Sequence, residues 1–141
     1  MGKLNKTDIE NIILDYEIMD TIHSEFVDIY NSVDITSNES IKSKAMELLV
    51  HTKNHFKKEE SLMSEYNYKR SLEHKDEHNK VLAELQFFID KSSSVFGMNI
   101  LKSYYIEKLP HWFHLHLISM DSDLSGFLKK FSPLRTNNEM N

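Results

Sequence analysis

From Lys3 to Phe96 the chain contains neither glycine nor proline, and the whole sequence holds only three glycines and two prolines in 141 residues. Tight reversals need residues that tolerate unusual backbone angles, so such a stretch cannot furnish the turns of a β-sandwich or barrel. It suits long helices joined by short polar connectors. An all-α fold is therefore expected, and the length allows one core in a single domain, 1–141.

Apolar periodicity divides the chain into four helical segments. From about Tyr16 to Val33, Ile18, Ile22, Phe26, Ile29 and Tyr30 recur every three or four residues, with His23 beside the stripe. Asp34 to Asn38 is a connector in which Ser37 or Asn38 can cap a second helix. That helix is expected from about Glu39 to Tyr66, with Ile41, Ala45, Leu48, Leu49, Phe56, Leu62 and Met63 inward. After a break at Asn67-Tyr68-Lys69, Ser71 can cap a third helix running to about Asp90, with Leu72, Leu82, Leu85 and Ile89 inward. Lys91 to Ser94 and Gly97 mark a turn. A last helical region, from about Met98 to Lys130, carries Leu101, Tyr105, Leu109, Trp112, Phe113, Leu117 and Met120, and Pro110 is expected to kink or divide it. The pattern predicts an up-down-up-down four-helix bundle over about 16–131, preceded by an N-terminal arm, 1–15.

Several function classes are excluded at this level. There is no cysteine, so disulfides, thiolate metal sites and cysteine nucleophiles are absent, and any metal must be held by nitrogen and oxygen. No apolar run approaches the ~20 residues of a membrane span. The polar start Met1-Gly2-Lys3-Leu4-Asn5-Lys6 has neither a signal region nor a lipidation motif, which makes a cytoplasmic protein the expectation. A formal net charge of −5 without a basic stripe argues against nucleic acid as a partner.

What stands out is eight histidines in so short a chain. His55 and Glu59 are four residues apart, as are His74 and His78, so each pair shares one helix face and can converge on one point. His23 and the pair His116 and Asp121 stand in the two other segments. A lone helical histidine is ordinarily a surface or satisfied core group. Here all four inward faces carry one, and buried polar groups without partners would each cost roughly 2–7 kcal/mol, more for a charge. A metal removes that penalty. Seven ligands exceed one tetrahedral ion and suit two six-coordinate ions that share bridges. His116 and Asp121 fit less simply, because five residues turn an α-helix through about 500°, leaving them roughly 140° apart. Asp121 can still reach the axis if it bridges the ions while His116 ligates one of them.

The series His23, His55-x3-Glu59, His74-x3-His78 and His116-x4-Asp121, with His55-Phe56-Lys57-Lys58-Glu59-Glu60-Ser61-Leu62-Met63 and Trp112-Phe113-His114-Leu115-His116 around it, resembles the single-domain bacterial hemerythrins over about residues 16–125. The resemblance implies two oxo- or hydroxo-bridged iron ions, one on His74, His78 and His116, the other on His23 and His55, with Glu59 and Asp121 bridging. It implies an open position on the His23/His55 iron, where O2 binds reversibly for carriage, storage, delivery or sensing. It implies no enzyme; the alternative is a diiron oxidase or a peroxide- or NO-reactive enzyme. A monomer is favoured. The family commonly has Gln where this chain has Ile22, Pro where it has Lys69, and a Trp in the arm that is missing here; none of these is a ligand.

The neighbours of the ligands are expected to line the O2 pocket: Ile22, Phe56, Phe113 and Leu117. His114, about 200° around the helix from His116, and His111, next to Pro110, are expected at the surface. Trp112 is read as wall. His51 shares the His55 face one turn earlier, and either stands behind the site or plays no part in it.

Overall fold

A computed structural model describes residues 16–131 of the chain. The N-terminal arm expected over 1–15 lies outside the described residues. Within them every element is helical: α1 (Glu17–Asn31), α2 (Asn38–Glu65), α3 (Ser71–Asp90), and a fourth rod. That rod comprises α4 (Val95–Ser103), a π-helical turn (Tyr104–Lys108), α5 (Leu109–His116), a second π-helical turn (Leu117–Asp121) and α6 (Ser122–Phe131). α1 packs on α2, α2 on α3 and α4, and α3 on α4. No described helix is long and apolar enough to cross a membrane.

The helix ends follow from local chemistry. Ser37 Oγ accepts the Ser40 N–H at 3.1 Å and caps α2. Asn67 leaves that helix in the left-handed conformation, φ 53°, which Asn tolerates better than most residues. Ser71 is not the cap of α3 but its first residue, and Arg70 precedes it without a side-chain cap. Ser94 Oγ accepts the Gly97 N–H at 2.9 Å, so α4 starts at Val95, ahead of the start expected after Gly97. Gly97 is needed there for closeness rather than turning: a Cβ would lie 1.7 Å from the Lys91 carbonyl oxygen.

Pro110 neither ends the rod nor stands alone in disturbing it. It is the second residue of α5, directly after the first π turn, where the Leu109 N–H donates to the Tyr104 carbonyl five residues back. In that register the Tyr105 carbonyl would look to residue 110, which has no N–H. Tyr30 takes its place: its hydroxyl donates to the Tyr105 carbonyl at 2.8 Å, and the Tyr105 hydroxyl donates to the Tyr30 carbonyl at 2.9 Å. The two rings stack with centroids 4.6 Å apart. Burial pushes both phenols well above their ordinary range.

Two apolar clusters fill the interior. One gathers Phe26, Tyr30, Ile41, Leu48, Leu85, Leu101, Tyr105 and Phe113 with their neighbours; the other gathers Tyr16, Met19, Leu62, Met63, Leu117, Leu124 and Leu128. Along every rod the candidate ligands stand beside or between the residues of these clusters. Each fully buried large apolar side chain contributes about 1.5–3 kcal/mol, so together the clusters outweigh the several kcal/mol needed to desolvate each charged group among them. The inward set differs from expectation at α3, where Leu72 is 71% exposed and Val81 is buried instead. On α1, Met19 and Val27 are buried, and Ile18 and Ile29 only partly so.

Candidate metal centre

All seven expected ligands are buried and converge between the rods. Their atoms form two groups, each mutually within 4.8 Å: Glu59, His74, His78 and His116, and His23, His55, Glu59 and Asp121. The i,i+4 spacing does what a helix requires of it. His55 touches Glu59 across one turn of α2, and the His74 and His78 rings meet edge to face at 4.6 Å on α3.

Each carboxylate divides its two oxygens between the histidine sets. Glu59 Oε1 lies 3.1 Å from both His74 Nε2 and His78 Nε2, while Oε2 meets His55 Nε2. Asp121 Oδ1 lies 3.1 Å from both His74 Nε2 and His116 Nε2, while Oδ2 lies 2.9 Å from His23 Nε2. Asp121 reaches this position because the second π turn closes over five residues, Ser122 N–H donating to the Leu117 carbonyl. His116 and Asp121 thereby share a face that an unbroken α-helix would deny them.

The donors are close without being mutually satisfied. His78 Nε2, His116 Nε2 and Glu59 Oε1 are buried and have no hydrogen-bond partner among the described residues, although each has an opposite group 3.1 Å away. Nitrogen and oxygen lone pairs aimed at common points instead of at one another are what a metal ion needs. The set of five imidazoles and two carboxylates, with no thiolate, fits first-row transition ions.

The electrostatics without metal are those of a proton-bridged network. Burial and the charge of Asp121 push the Glu59 carboxyl up, but His55 and His74 override them and hold it well below the usual carboxylate range. Burial likewise raises Asp121, and His116, His23 and His74 bring it well below. Burial lowers His74, but its hydrogen bond to Asp121 and the approach of the Glu59 carboxylate lift it to about 9. His116 is lowered by burial and raised on balance by Asp121.

Among the residues expected to line a pocket, Ile22, Phe56, Phe113 and Leu117 are all buried. Phe56 lies flat on His78, 3.6 Å between centroids, and 5.1 Å from the His55 ring; Phe113 meets His23 edge-on at 5.9 Å. Trp112 stacks on His116 at 4.7 Å and donates to Glu77 at 2.7 Å. His111 and His114 are exposed. His51 belongs to neither ligand group: it is half-buried, its ring 6.2 Å from that of His55, and burial lowers its pKa. Two carboxylates were not singled out by the sequence, Glu77 and Glu60, the latter 3.0 Å from His78 Nδ1. The adjacency of Glu60 to Glu59 was the available signal, since one residue turns the helix about 100°, from the centre toward a flanking rod.

The chain matches no protein-family model, no curated protein and no solved structure.

Proposed function

We propose that this chain is a non-haem diiron protein of hemerythrin type that binds O2 reversibly. The observation that carries the proposal is the division of both buried carboxylates between two histidine sets, three nitrogens on one side and two on the other. His74, His78 and His116 would hold one ion, His23 and His55 the other, and Glu59 and Asp121 both. The up-down-up-down arrangement belongs to the same proposal. It is supported by the order in which the rods visit the two apolar clusters: α1 passes from Met19 to Tyr30, α2 from Ile41 to Met63, and the fourth rod from Leu101 to Leu128.

Iron bound there supplies the electrons for a reversible exchange with O2. The protein's part is to hold, orient and keep dry. Two carboxylates offset part of the metal charge, and five neutral imidazoles fill most of the remaining positions. Oxygen-activating diiron bundles use four carboxylates and two histidines, so this nitrogen-rich set favours binding over turnover. The unequal division, three against two, leaves the His23/His55 side with room for a guest. Phe113 against His23, and the buried Ile22 and Leu117, keep water and its protons from that side.

Oxygen uptake by the iron-loaded protein in the presence of a reductant separates the two activities. A binding protein takes up about one O2 per chain and stops. Sustained consumption would replace the proposal with a diiron oxidase.

A further inference from the structure

The two histidine sets are not equally prepared. His55 and His116 have buried Nδ1 atoms with no hydrogen-bond partner among the described residues, whereas His78 Nδ1 stands 3.0 Å from Glu60 Oε2. That contact fixes the tautomer. With the proton on Nδ1 shared with a carboxylate, the Nε2 lone pair must face the centre, toward Glu59 Oε1 at 3.1 Å. The ring cannot swing either, since Phe56 lies parallel to it within 4° at 3.6 Å. In the same set His116 is stacked on Trp112, which Glu77 holds by its indole N–H. Among the described residues the other set has no such outer carboxylate: His23 meets Phe113 edge-on, and His55 Nδ1 has no partner.

Glu60 is itself placed for this task, and His78 is its one ion-pair partner among the described residues. Its side chain is 29% exposed and borders a surface hollow with Ser64, Ser71 and Lys75. The carboxylate thus keeps part of its hydration, which lowers the cost of holding a charge beside the buried imidazole. We infer that Glu60 is a positioning residue for His78, and that the His74/His78/His116 group is in consequence the half of the centre that takes the first metal ion. The inference rests on the proposed metal centre, and adds to it an order of filling and the residue that imposes it.

Zn2+ is a suitable probe, being diamagnetic and bound by nitrogen and oxygen donors. The metal-free protein is titrated with Zn2+ while the side-chain nitrogen resonances of its histidines are followed by NMR. The first equivalent is expected to move the signals of His74, His78 and His116, the second those of His23 and His55. In Glu60→Leu the protected Nδ1–H signal of His78 should vanish and first-ion affinity, measured by chelator competition, should fall about 10- to 100-fold. Glu60→Gln still accepts from Nδ1 and should retain the signal and most of the affinity. Affinities measured well below the melting temperature of each metal-free variant separate positioning from folding, since Glu60→Leu, which orphans the buried Nδ1–H, is also expected to melt lower. Movement of His23 and His55 first, or an unaltered first-ion affinity in Glu60→Leu, overturns the inference while leaving a two-metal centre in place. Failure of the native protein to take up Zn2+ or Fe2+ at all overturns both.

Discussion

His116 Nε2 lies 3.1 Å from Asp121 Oδ1, although the two residues are five apart on one rod and an α-helix would turn them about 140° away from each other. The π turn Leu117–Asp121 closes the difference. Its extra residue is worth nothing to packing at the surface, where Ile118 is 44% exposed, and its effect is felt at Asp121. Such turns occur often at functional sites.

The turn thus absorbs one residue, and taking that residue out should spare the site. Deletion of Ile118 leaves Asp121 four residues after His116, about 40° away in plain α register, and keeps Leu124 and Leu128 on their present face. Insertion of an alanine after Ile118 exceeds what one π turn absorbs and turns Asp121, Leu124 and Leu128 about 100° from the centre. Metal content after reconstitution is expected to stay near native in the deletion variant and to fall well below half in the insertion variant, with a lower melting temperature. Native metal content in the insertion variant would mean that Asp121 is not a ligand.

Substitutions at the ligands should separate them from their histidine neighbours. Glu59→Gln and His74→Ala are expected to lower metal content below two per chain, because Glu59 belongs to both donor groups and His74 faces both carboxylates. His114→Ala, at an exposed position, should not. His51→Ala is the sharper case: the ring stands beside His55 but in neither group, so full metal content is expected. Elemental analysis decides, and a loss equal to that of His74→Ala would add an eighth ligand.

The pH dependence of the metal-free protein follows from the network around His74, which faces Glu59 and Asp121. Its pKa, raised to about 9, gives stability that is complete below the unfolded value near 6.5 and is lost as pH rises through 9. Glu59 and Asp121, both depressed, contribute above their unfolded values near 4.5 and 3.8 and lose that contribution as pH falls. Melting of the metal-free protein should therefore peak between about pH 4.5 and 6.5 and decline toward 9. His74→Gln should make the alkaline decline shallower and leave the part that His116, also raised by Asp121, contributes. Metal must displace the proton, so apparent metal affinity is expected to rise with pH over the same interval.

The tyrosine pair offers a control remote from the ligands. Tyr30→Phe leaves the Tyr105 carbonyl without a donor, because Pro110 cannot supply one, and should cost about 1–3 kcal/mol in urea unfolding. Metal content should be unchanged. A neutral Tyr30→Phe would mean that the carbonyl finds another partner.

The helices and the buried cluster of candidate ligands were legible in the sequence because both are written in spacing: three and four for the apolar stripes, four for His55 with Glu59 and His74 with His78. Asp121 was legible as a member of the buried cluster but not as a neighbour of His116, since no residue type announces a π turn and five-residue spacing reads as divergent under α geometry. Pro110 was read as a disruption. What absorbs it is Tyr30, distant in sequence, so local pattern could not show it. Gly97 looked like a turn residue because its reason, the close Lys91 carbonyl, is a contact and not a conformation. Leu72 looked inward by type, yet at the first turn of α3 it faces solvent. Glu60 was not singled out. Only the approach of α3 turns it into a partner for His78.

A two-metal centre that binds O2 and releases it is put to the test by an anaerobic iron titration followed by an oxygen and argon cycle. Two iron ions per chain are expected from the two donor groups. Admitting O2 should bring in a charge-transfer absorption in the visible, and flushing with argon should restore the original spectrum over repeated cycles. Uptake of one iron or none, or a spectrum that changes once with O2 and never returns under argon, would rule out a reversible two-iron centre.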